Sequence, residues 1–480
     1  MEKESKSTPE NHEFTDDGIL KTIGRTALQV EETKKSGETI KPKKIACMEV
    51  YPFSFEDGEG KSNVFEKITS LLPYWKNLGI NTIWLAPVYP SPRKDMGYDI
   101  SNYEEIDERF GMLEDFDNFV TEAHNQGQKV LMDLVLNHTS TEHEWFKKAL
   151  SGDPKYRNFY YFTETPQEDW HNFFDDQSAW AASPNHPGEY YLHSFHENQA
   201  DLRWFDEDGN LNQDLLAEFQ KVIDFWTKEH HVDGFRLDVP QAIDKDFANP
   251  ERSFEIALQS DGEQSSLVIE KLFGDRPELI TTVEVFDVSD DDSVISRYSG
   301  PGKPIQFAMN AWLAMQPESE MLEQFSNSIK RTPNLMVATQ SHDTSRKDIS
   351  NEVLTKLLEQ EPEAVCLYMG QEIGLDNPSV EEFGNEAFFR SDAQADMQLK
   401  AAIELKKKEN GGFISQAEID EIIEKIRSNA RANSRAPIND VYYLAELARQ
   451  EVDPSSTYNF LKKATTSWVK RDEPDPNSNT

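Results

Sequence analysis

From residue 43 onward, the chain alternates short apolar runs with longer amphipathic stretches. The short runs are rich in β-branched and aliphatic residues, and the stretches between them repeat apolar side chains at helical spacing. This alternation predicts consecutive βα units with parallel strands. The predicted strands are 45–50, 82–87, 129–136, 232–238, 279–286, 305–309, 335–339 and 364–369. With the helices predicted between them, they indicate an α/β fold of the closed (β/α)8, or TIM-barrel, class.

One interval interrupts the βα rhythm. Residues 139–206 are dense in Trp, Tyr, Phe, His, Asn and Pro and are too many for an ordinary βα loop. They predict a small subdomain inserted after the third strand, on the C-terminal face of the barrel, where active sites of this fold lie. The predicted divisions are a mobile polar tail (1–42), a first barrel part (43–138), the inserted subdomain (139–206), a second barrel part (207–393) and a helical C-terminal segment (394–480).

The charge balance excludes some classes of partner. The chain has 49 basic and 88 acidic residues and a net charge of −39, so we expect neither nucleic acid nor an anionic membrane as a partner. A small neutral substrate is compatible with this charge. No apolar run has the length of a signal peptide or membrane span, which predicts a cytoplasmic location. Cys47 and Cys366 form no C-x-x-C motif and are predicted to be core thiols.

Carboxylates occur at the ends of three predicted strands. Asp238 closes the fourth strand, Glu284 lies near the end of the fifth, and Asp343 follows the seventh. A carboxylate at a buried strand end is costly unless a partner or a reaction uses it. Carboxyl groups that converge on one pocket are typical of glycoside hydrolysis, in which one stabilises or attacks the sugar and another protonates the leaving oxygen.

Other polar residues lie near the same predicted strand ends. Arg236 shares a strand face with Asp238 and would keep it ionised, although an Arg–Asp pair could equally fill the barrel interior. His138 closes the third strand and is either a sugar contact or a satisfied structural histidine. Tyr98 and Asp99 offer a ring for stacking and an acceptor for hydroxyls, or else form a simple turn.

Several of these segments, taken in order, resemble glycoside hydrolase family thirteen, the α-amylase superfamily, over about residues 45–438. The matching segments are 51–55 (YPFSF), 97–99 (GYD), 133–138 (DLVLNH), 199–202 (QADL), 234–238 (GFRLD), Glu284 and His342-Asp343. The resemblance implies that Asp238 is the nucleophile, Glu284 the general acid/base and Asp343 the transition-state stabiliser. It further implies a glucose subsite lined by Tyr98, Asp99, His138, Arg236 and His342.

Within that family, the chain is most similar to the oligo-1,6-glucosidase and α-glucosidase branch. The similarity lies in residues 133–145 (DLVLNHTSTEHEW), 188–193 (GEYYLH) and 433–437 (NSRAP). Val239, after the implied nucleophile, accompanies α-1,6 linkages in that branch. Because one β-branched residue changes discrimination by only about 1–3 kcal/mol, it favours this linkage without fixing it.

The chain departs from the family pattern in three places. Residues 57–63 (DGEGKSN) are shorter than the branch's calcium loop and place Lys61 where oxygen ligands are needed, so we expect no cofactor and no intact calcium site. Ala200 and Arg203 in QADLR, and Ser341 before His342, replace the usual residues. No run of alternating strands follows the barrel, so the C-terminal β-sandwich is expected to be missing.

Three functions remain open on this reading. The first is a retaining α-glucosidase acting on short α-linked glucosides. The second is a trehalose synthase-like isomerase or transglucosidase, which returns the same glucosyl intermediate to a sugar; residues 89–98 resemble those enzymes too. The third is a catalytically decayed homologue that binds sugar or a protein. The sequence leaves the oligomeric state open.

Overall fold

The computed structural model of the protein describes residues 44–56, 63–173, 177–245, 262–344, 346, 351–375, 393–409, 414–427 and 440–470. The predicted tail over 1–42 lies outside the described residues. Among the described residues, eight parallel strands form one sheet, and five short strands form two small antiparallel sheets.

Strands are numbered here in chain order. The barrel strands are β1 (Ile45–Val50), β2 (Thr82–Leu85), β3 (Lys129–Val135), β9 (Gly234–Asp238), β10 (Ile280–Val285), β11 (Phe307–Asn310), β12 (Met336–Ala338) and β13 (Ala364–Tyr368). The short strands are β4 (His138–Ser140), β5 (Phe162–Thr163), β6 (Trp180–Ala182), β7 (Tyr190–Leu192) and β8 (Gln199–Asp201). All eight predicted barrel strands are confirmed, with ends that differ by up to two residues.

The large sheet is a nearly closed barrel. Its strand order is β11-β10-β9-β3-β2-β1-β13-β12, and every neighbouring pair is parallel. A bridge between Ala308 and Leu335 joins the two ends of this order. The fold class predicted from the βα rhythm is therefore confirmed. In such a barrel the strands' C-terminal ends meet at one face, which brings distant parts of the sequence together.

Helices surround the barrel and continue beyond it. They are α1 (Val64–Leu78), α2 (Leu113–Asn125), α3 (Glu144–Leu150), α4 (Pro154–Arg157), α5 (Gln213–Asp224), α6 (Glu263–Phe273), α7 (Ser293–Tyr298), α8 (Ala311–Met315), α9 (Glu318–Arg331), α10 (Asn351–Glu359), α11 (Ala393–Glu409), α12 (Gln416–Arg427), α13 (Asp440–Val452) and α14 (Thr457–Lys470). Every described helix is too short or too polar to traverse a lipid bilayer.

Helix α1 illustrates how the sequence defines these elements. The Asn63 side chain caps its N-terminus by accepting a hydrogen bond from the Glu66 backbone N–H, and Gly79 ends it in the left-handed conformation. Its buried face, which includes Ile68, Leu72 and Trp75, packs into the main hydrophobic core. The buried apolar stripe therefore holds the helix against the barrel.

The inserted segment between β3 and β9 contains both small antiparallel sheets. Strand β4 pairs with β8, and β7 pairs with β5 and β6. Because β4 begins three residues after β3 ends, this segment starts at the C-terminal face of the barrel. Its exact limits as a domain, like the other predicted divisions, stay a prediction.

The final helix packs on the barrel wall. Trp468 of α14 is buried, and its indole N–H donates a hydrogen bond to the Pro362 carbonyl at 3.1 Å. Tyr443 of α13 is also buried against the core. The described residues from 393 onward are helical, and the expectation about a C-terminal β-sandwich stays a prediction.

Candidate active site

A single buried arginine lies at the centre of the candidate site. Arg236 extends from β9, and its Nη1 donates to Asp133 Oδ1 at 2.8 Å and to Asp238 Oδ1 at 2.7 Å. Its Nη2 donates to Glu284 Oε2. The register explains this convergence, since Asp133 on β3 and Thr282 on β10 both pair with Arg236, and Glu284 lies two residues beyond Thr282 on the same face.

Burial determines the protonation of these carboxyls. Burial raises the pKa of Glu284 to about 8, against the opposing charge of Arg236. Burial also raises the pKa of Asp133 to about 7, again against Arg236. Although burial opposes its charge, the surrounding carboxylates raise the pKa of Arg236 well above its usual value. The site thus combines a permanent cation with at least one carboxyl that holds its proton near neutral pH.

The predicted Arg236–Asp238 pair is present, but its electrostatics are more balanced than expected. Burial raises the pKa of Asp238, while Arg236 and His138 lower it. The Asp238 side chain is 11% exposed, whereas that of Glu284 is 1% exposed. Asp238 is therefore the more accessible of the two carboxyls that contact Arg236.

A second group of side chains joins this centre through Tyr98. The Tyr98 hydroxyl donates to Asp133 Oδ2 at 3.0 Å and lies 2.6 Å from His342 Nε2. Asp343 Oδ2 is 3.6 Å from the same His342 nitrogen, and its side chain is 18% exposed. Asp343 is thus connected to Arg236 through His342, Tyr98 and Asp133, although about a hundred residues separate it from Asp238 in the chain.

The turn after Asp238 is tied to the strand that carries Glu284. Gln241 lies in this turn; its Oε1 accepts from the Phe286 backbone N–H at 2.7 Å, and its Nε2 donates to the Phe286 carbonyl at 3.2 Å. Val239 has φ +24°, which is unusual for a β-branched residue. The two amide bonds of Gln241 fix the turn in this strained conformation next to Asp238.

His138 joins the site from the end of β3. Its Nε2 lies 3.2 Å from the Tyr98 carbonyl oxygen and 3.0 Å from Gln199 Nε2. Gln199 Nε2 also donates to Asp95 Oδ2 at 3.2 Å. Burial lowers the pKa of His138, so its ring is neutral at neutral pH.

Asp99 is the predicted site residue that the structure places in a different network. Its carboxylate accepts hydrogen bonds from the Ser91 hydroxyl at 2.6 Å, the Lys94 backbone N–H at 2.8 Å and the Asn198 side-chain amide at 3.1 Å. It is fully buried. These bonds fix the loop after β2, and the structure gives no hydrogen bond from Asp99 to the Arg236 group.

Several residues of the site were not assigned from the sequence. Asp133 was part of a matched segment but had no role, and its only signal was an acid inside an apolar strand. Glu49 has the same signal in β1, and its Oε1 accepts from both Nδ1 and the backbone N–H of His342. Asp95 lies four residues before Asp99 in the loop already considered. Each was overlooked because its neighbours in the sequence carry stronger motifs.

A buried ion pair joins the inserted segment to the barrel beside this site. Lys245 Nζ is 2.8 Å from Asp201 Oδ2 and donates to Asn137 Oδ1 at 3.0 Å and Ser194 Oγ at 3.0 Å. Their side chains are 4% and 0% exposed for Lys245 and Asp201, respectively. The pair links the turn after β9 to β8, and it therefore fixes one wall of the site.

Two sequence expectations fall outside the described residues. Residues 57–62 of the proposed calcium loop are among them, as are all of residues 433–437. Within the part of the chain that the structure describes, no group of three or more His, Cys, Asp or Glu side chains has an arrangement suited to a metal ion. The two cysteines are free and buried, as predicted.

Comparison with known proteins gives matches over most of the chain. Residues 49–453 match the family model for the α-amylase catalytic domain. Trehalose-6-phosphate hydrolase of Bacillus subtilis is 28% identical over 90% of this chain and 86% of its own length. Oligo-1,6-glucosidase of Heyndrickxia coagulans is 42% identical over 42% of this chain, and the match spans only 36% of that relative's length.

A solved structure agrees with the sequence comparison. Trehalose-6-phosphate hydrolase of Bacillus licheniformis superposes with a TM-score of 0.71 and 27% identity, covering 90% of this chain and 84% of that one. The barrel, the strand-end carboxylates around Arg236 and the family match over 49–453 therefore agree. The chain belongs to the α-amylase catalytic-domain family and is, by that membership, a glycoside hydrolase.

Proposed function

We propose that the protein is a retaining hydrolase of short α-linked glucosides that works through a covalent glucosyl-enzyme intermediate. The observation that carries this proposal is the contact of one guanidinium, that of Arg236, with both Asp238 and Glu284. A single guanidinium that touches both carboxyls favours the separation of about 5–5.5 Å found in retaining enzymes over the wider spacing of inverting ones.

In the proposed reaction, Glu284 begins protonated and Asp238 ionised. Glu284 donates its proton to the glycosidic oxygen while an Asp238 oxygen attacks the anomeric carbon, so the aglycone leaves as an alcohol. Glu284, now a carboxylate, removes a proton from water, and the water oxygen displaces Asp238 from the sugar. The burial that raises the pKa of Glu284 to about 8 supports its role as the acid in the first step.

The remaining roles follow from position. Asp343 is proposed to stabilise the oxocarbenium-like transition state, and its exposure of 18% leaves it accessible to a sugar. His342, Tyr98 and His138 would line the glucose subsite, with Arg236 beneath them. For Asp99, whose carboxylate is occupied by loop hydrogen bonds, we propose that it shapes the subsite by fixing the loop that carries Tyr98.

The described charges favour a neutral substrate. Arg236 and Lys245, two cations at the site, are both bound to buried carboxylates. The net charge of −39 also disfavours the approach of an anion. A neutral α-glucoside is therefore proposed over a phosphorylated one, although relatives include enzymes named for trehalose 6-phosphate. Val239 beside Asp238 favours an α-1,6 linkage.

Two substitutions test the assignment of the carboxyls. Asp238→Asn and Glu284→Gln are expected to leave a folded protein and to lower kcat/KM for a nitrophenyl α-glucoside by at least about a thousandfold. Gln324→Ala, on the exposed side of α9, is a suitable control because its side chain bonds only Glu320 within that helix. Full activity in either carboxyl variant would refute the proposal.

Product analysis separates the alternatives. The purified protein is incubated with isomaltose, maltose, sucrose, trehalose and trehalose 6-phosphate. Free glucose from a neutral disaccharide supports hydrolysis, and a rearranged disaccharide supports the isomerase or transglucosidase alternative. Sugar binding by calorimetry with no turnover on any substrate would instead support a decayed homologue.

A further inference from the structure

Glu49 lies at the centre of the barrel mouth but has no part in the reaction described above. It is on β1, where alternate residues face the barrel interior, and it is fully buried. Its Oε1 accepts hydrogen bonds from both the backbone N–H and the ring Nδ1 of His342. Its Oε2 has no hydrogen-bond partner among the described residues. A buried carboxyl held in this way requires an explanation, because an unsatisfied oxygen costs about 1–3 kcal/mol.

The other ring nitrogen of His342 faces the reacting groups. The Tyr98 hydroxyl donates its single hydrogen to Asp133 Oδ2, so its oxygen is left to accept from His342 Nε2 at 2.6 Å. Asp343 Oδ2 lies 3.6 Å from the same nitrogen. Both partners are acceptors, which requires a hydrogen on Nε2. A hydrogen is also needed between Nδ1 and Glu49.

We infer that Glu49 is a positioning residue that shares a proton with His342 Nδ1 and thereby keeps His342 Nε2 a hydrogen-bond donor toward Asp343 and the sugar. This inference rests on the proposed function, because it assigns a purpose to a histidine of the proposed glucose subsite. The neutral imidazole of a lone histidine carries one hydrogen only. With the carboxylate of Glu49 on Nδ1, the pair retains hydrogens at both positions to a higher pH.

The groups that face Glu49 set the strength of this effect. Arg236 from β9 stabilises its charged form, whereas Asp343 and Glu284 oppose it. Cys366 from β13 is also within electrostatic range. Burial raises the pKa of Glu49 well above its usual value, so Glu49 and His342 compete for the proton between them. The His342 ring is held in place by nearly parallel Tyr98 and Tyr51 rings, whose centroids are 5.2 and 5.6 Å away.

The test compares two buried Glu→Gln substitutions. Glu49→Gln keeps an acceptor for the two N–H groups of His342 but removes the negative charge. Glu372→Gln is the matched control, since Glu372 is equally buried and bonded to Tyr443, Trp75 and the Gly370 N–H rather than to the site. The pH profile of kcat/KM for a nitrophenyl α-glucoside is measured for both variants and the wild type.

In the Glu49→Gln variant, the alkaline limb is expected to move at least about one pH unit lower, with activity near pH 5.5 retained within about threefold. The control variant should keep the wild-type profile. A merely structural role of Glu49 would lower activity by the same factor at every pH, and that result would overturn the inference.

Because loss of the Glu49 charge also eases ionisation of Glu284, NMR decides between the two residues. Protein labelled with ¹⁵N-histidine is titrated, and the His342 signals are identified by their absence from a His342→Asn variant. Nε2 should retain its hydrogen at least about one pH unit higher in the wild type than in Glu49→Gln. Equal titration would overturn the inference. If Glu49→Gln does not fold, the wild type alone suffices, since loss of the Nε2 hydrogen near the ordinary pH of about 6.5 contradicts it.

The two proposals can fail separately. A protein that hydrolyses no glucoside would refute the proposed function, while the NMR titration would still report whether Glu49 holds the proton of His342. A protein that hydrolyses glucosides normally but shows equal titration of His342 in both forms would retain the proposed function and lose this inference.

Discussion

Gly234 and Ile280 lie in such close contact that a Cβ added to Gly234 would be 1.8 Å from the Ile280 carbonyl oxygen. The two residues are paired in register on β9 and β10. This pairing sets the distance between the strand that carries Arg236 and Asp238 and the strand that carries Glu284. The close approach of two backbones at the base of the site is therefore what brings its carboxyls together.

Substitution of Gly234 by Ala is predicted to disrupt this pairing. The clash is with backbone atoms, which cannot move as a flexible side chain can. We expect a loss of more than about 3 kcal/mol in the free energy of unfolding and a large loss of activity, both measured by urea denaturation and glucoside hydrolysis. Gly209→Ala serves as a control, because nothing lies within 4 Å of its added Cβ. Its positive φ alone should cost about 1 kcal/mol. Equal effects of the two substitutions would show that the close approach is unimportant.

The pH dependence of activity should reflect Glu284. Its pKa of about 8 predicts an alkaline limb of kcat/KM near that pH, because the general acid must be protonated to act. The measurement is a rate profile from pH 5 to 10. An alkaline limb below pH 6 would mean that the burial of Glu284 does not hold its proton.

The same group predicts a pH dependence of stability. Its pKa is raised from 4.5 in the unfolded chain to about 8 in the folded one, so the folded state binds more protons in this interval. Its contribution to stability is complete below about pH 4.5 and declines as the pH rises toward 8. Glu284→Gln should therefore flatten the profile of unfolding free energy between pH 5 and 8, as measured by denaturant titration. A steeper profile in the variant would contradict this sign.

Removal of the buried Lys245 charge should destabilise the wall of the site. Lys245→Met leaves Asp201 uncompensated in the interior, and we expect a loss of about 3–5 kcal/mol in unfolding free energy. Lys155→Met is the matched control, since its ion pair with Glu218 is 2.6 Å long but its side chain is 37% exposed. That substitution should cost at most about 1 kcal/mol. The double variant Lys245→Met with Asp201→Asn should recover part of the loss. No recovery would mean that Lys245 acts through packing and not through its charge.

The barrel could be predicted from the sequence because each strand is a short apolar run between helical patterns. The resemblance then identified residues at the strand ends, and the structure brings most of them together through hydrogen bonds. Even the short β11, the least apolar of the runs, lies within one or two residues of its predicted position. Periodicity is a local property, so the sequence expresses it directly.

The hydrogen-bond partners within the site could not be predicted in the same way. Asp99 and Asp95 lie in one loop, and only the folded backbone decides which carboxylate caps the loop and which contacts Gln199. Glu49 is an acid within an apolar strand, a pattern that shows an unusual burial but not the histidine it contacts, almost 300 residues away. Which side chain meets which across a barrel depends on strand register, and the register is a property of the whole sheet.

Trapping the glucosyl-enzyme intermediate tests the central proposal most directly. The protein is treated with a fluorinated glucosyl fluoride that forms the intermediate faster than it is hydrolysed, then digested and analysed by mass spectrometry. The account predicts one glucosyl adduct, on the peptide that contains Asp238, and no adduct in the Asp238→Asn variant. An adduct on any other residue, or turnover of the reagent to a product of inverted configuration, would contradict it.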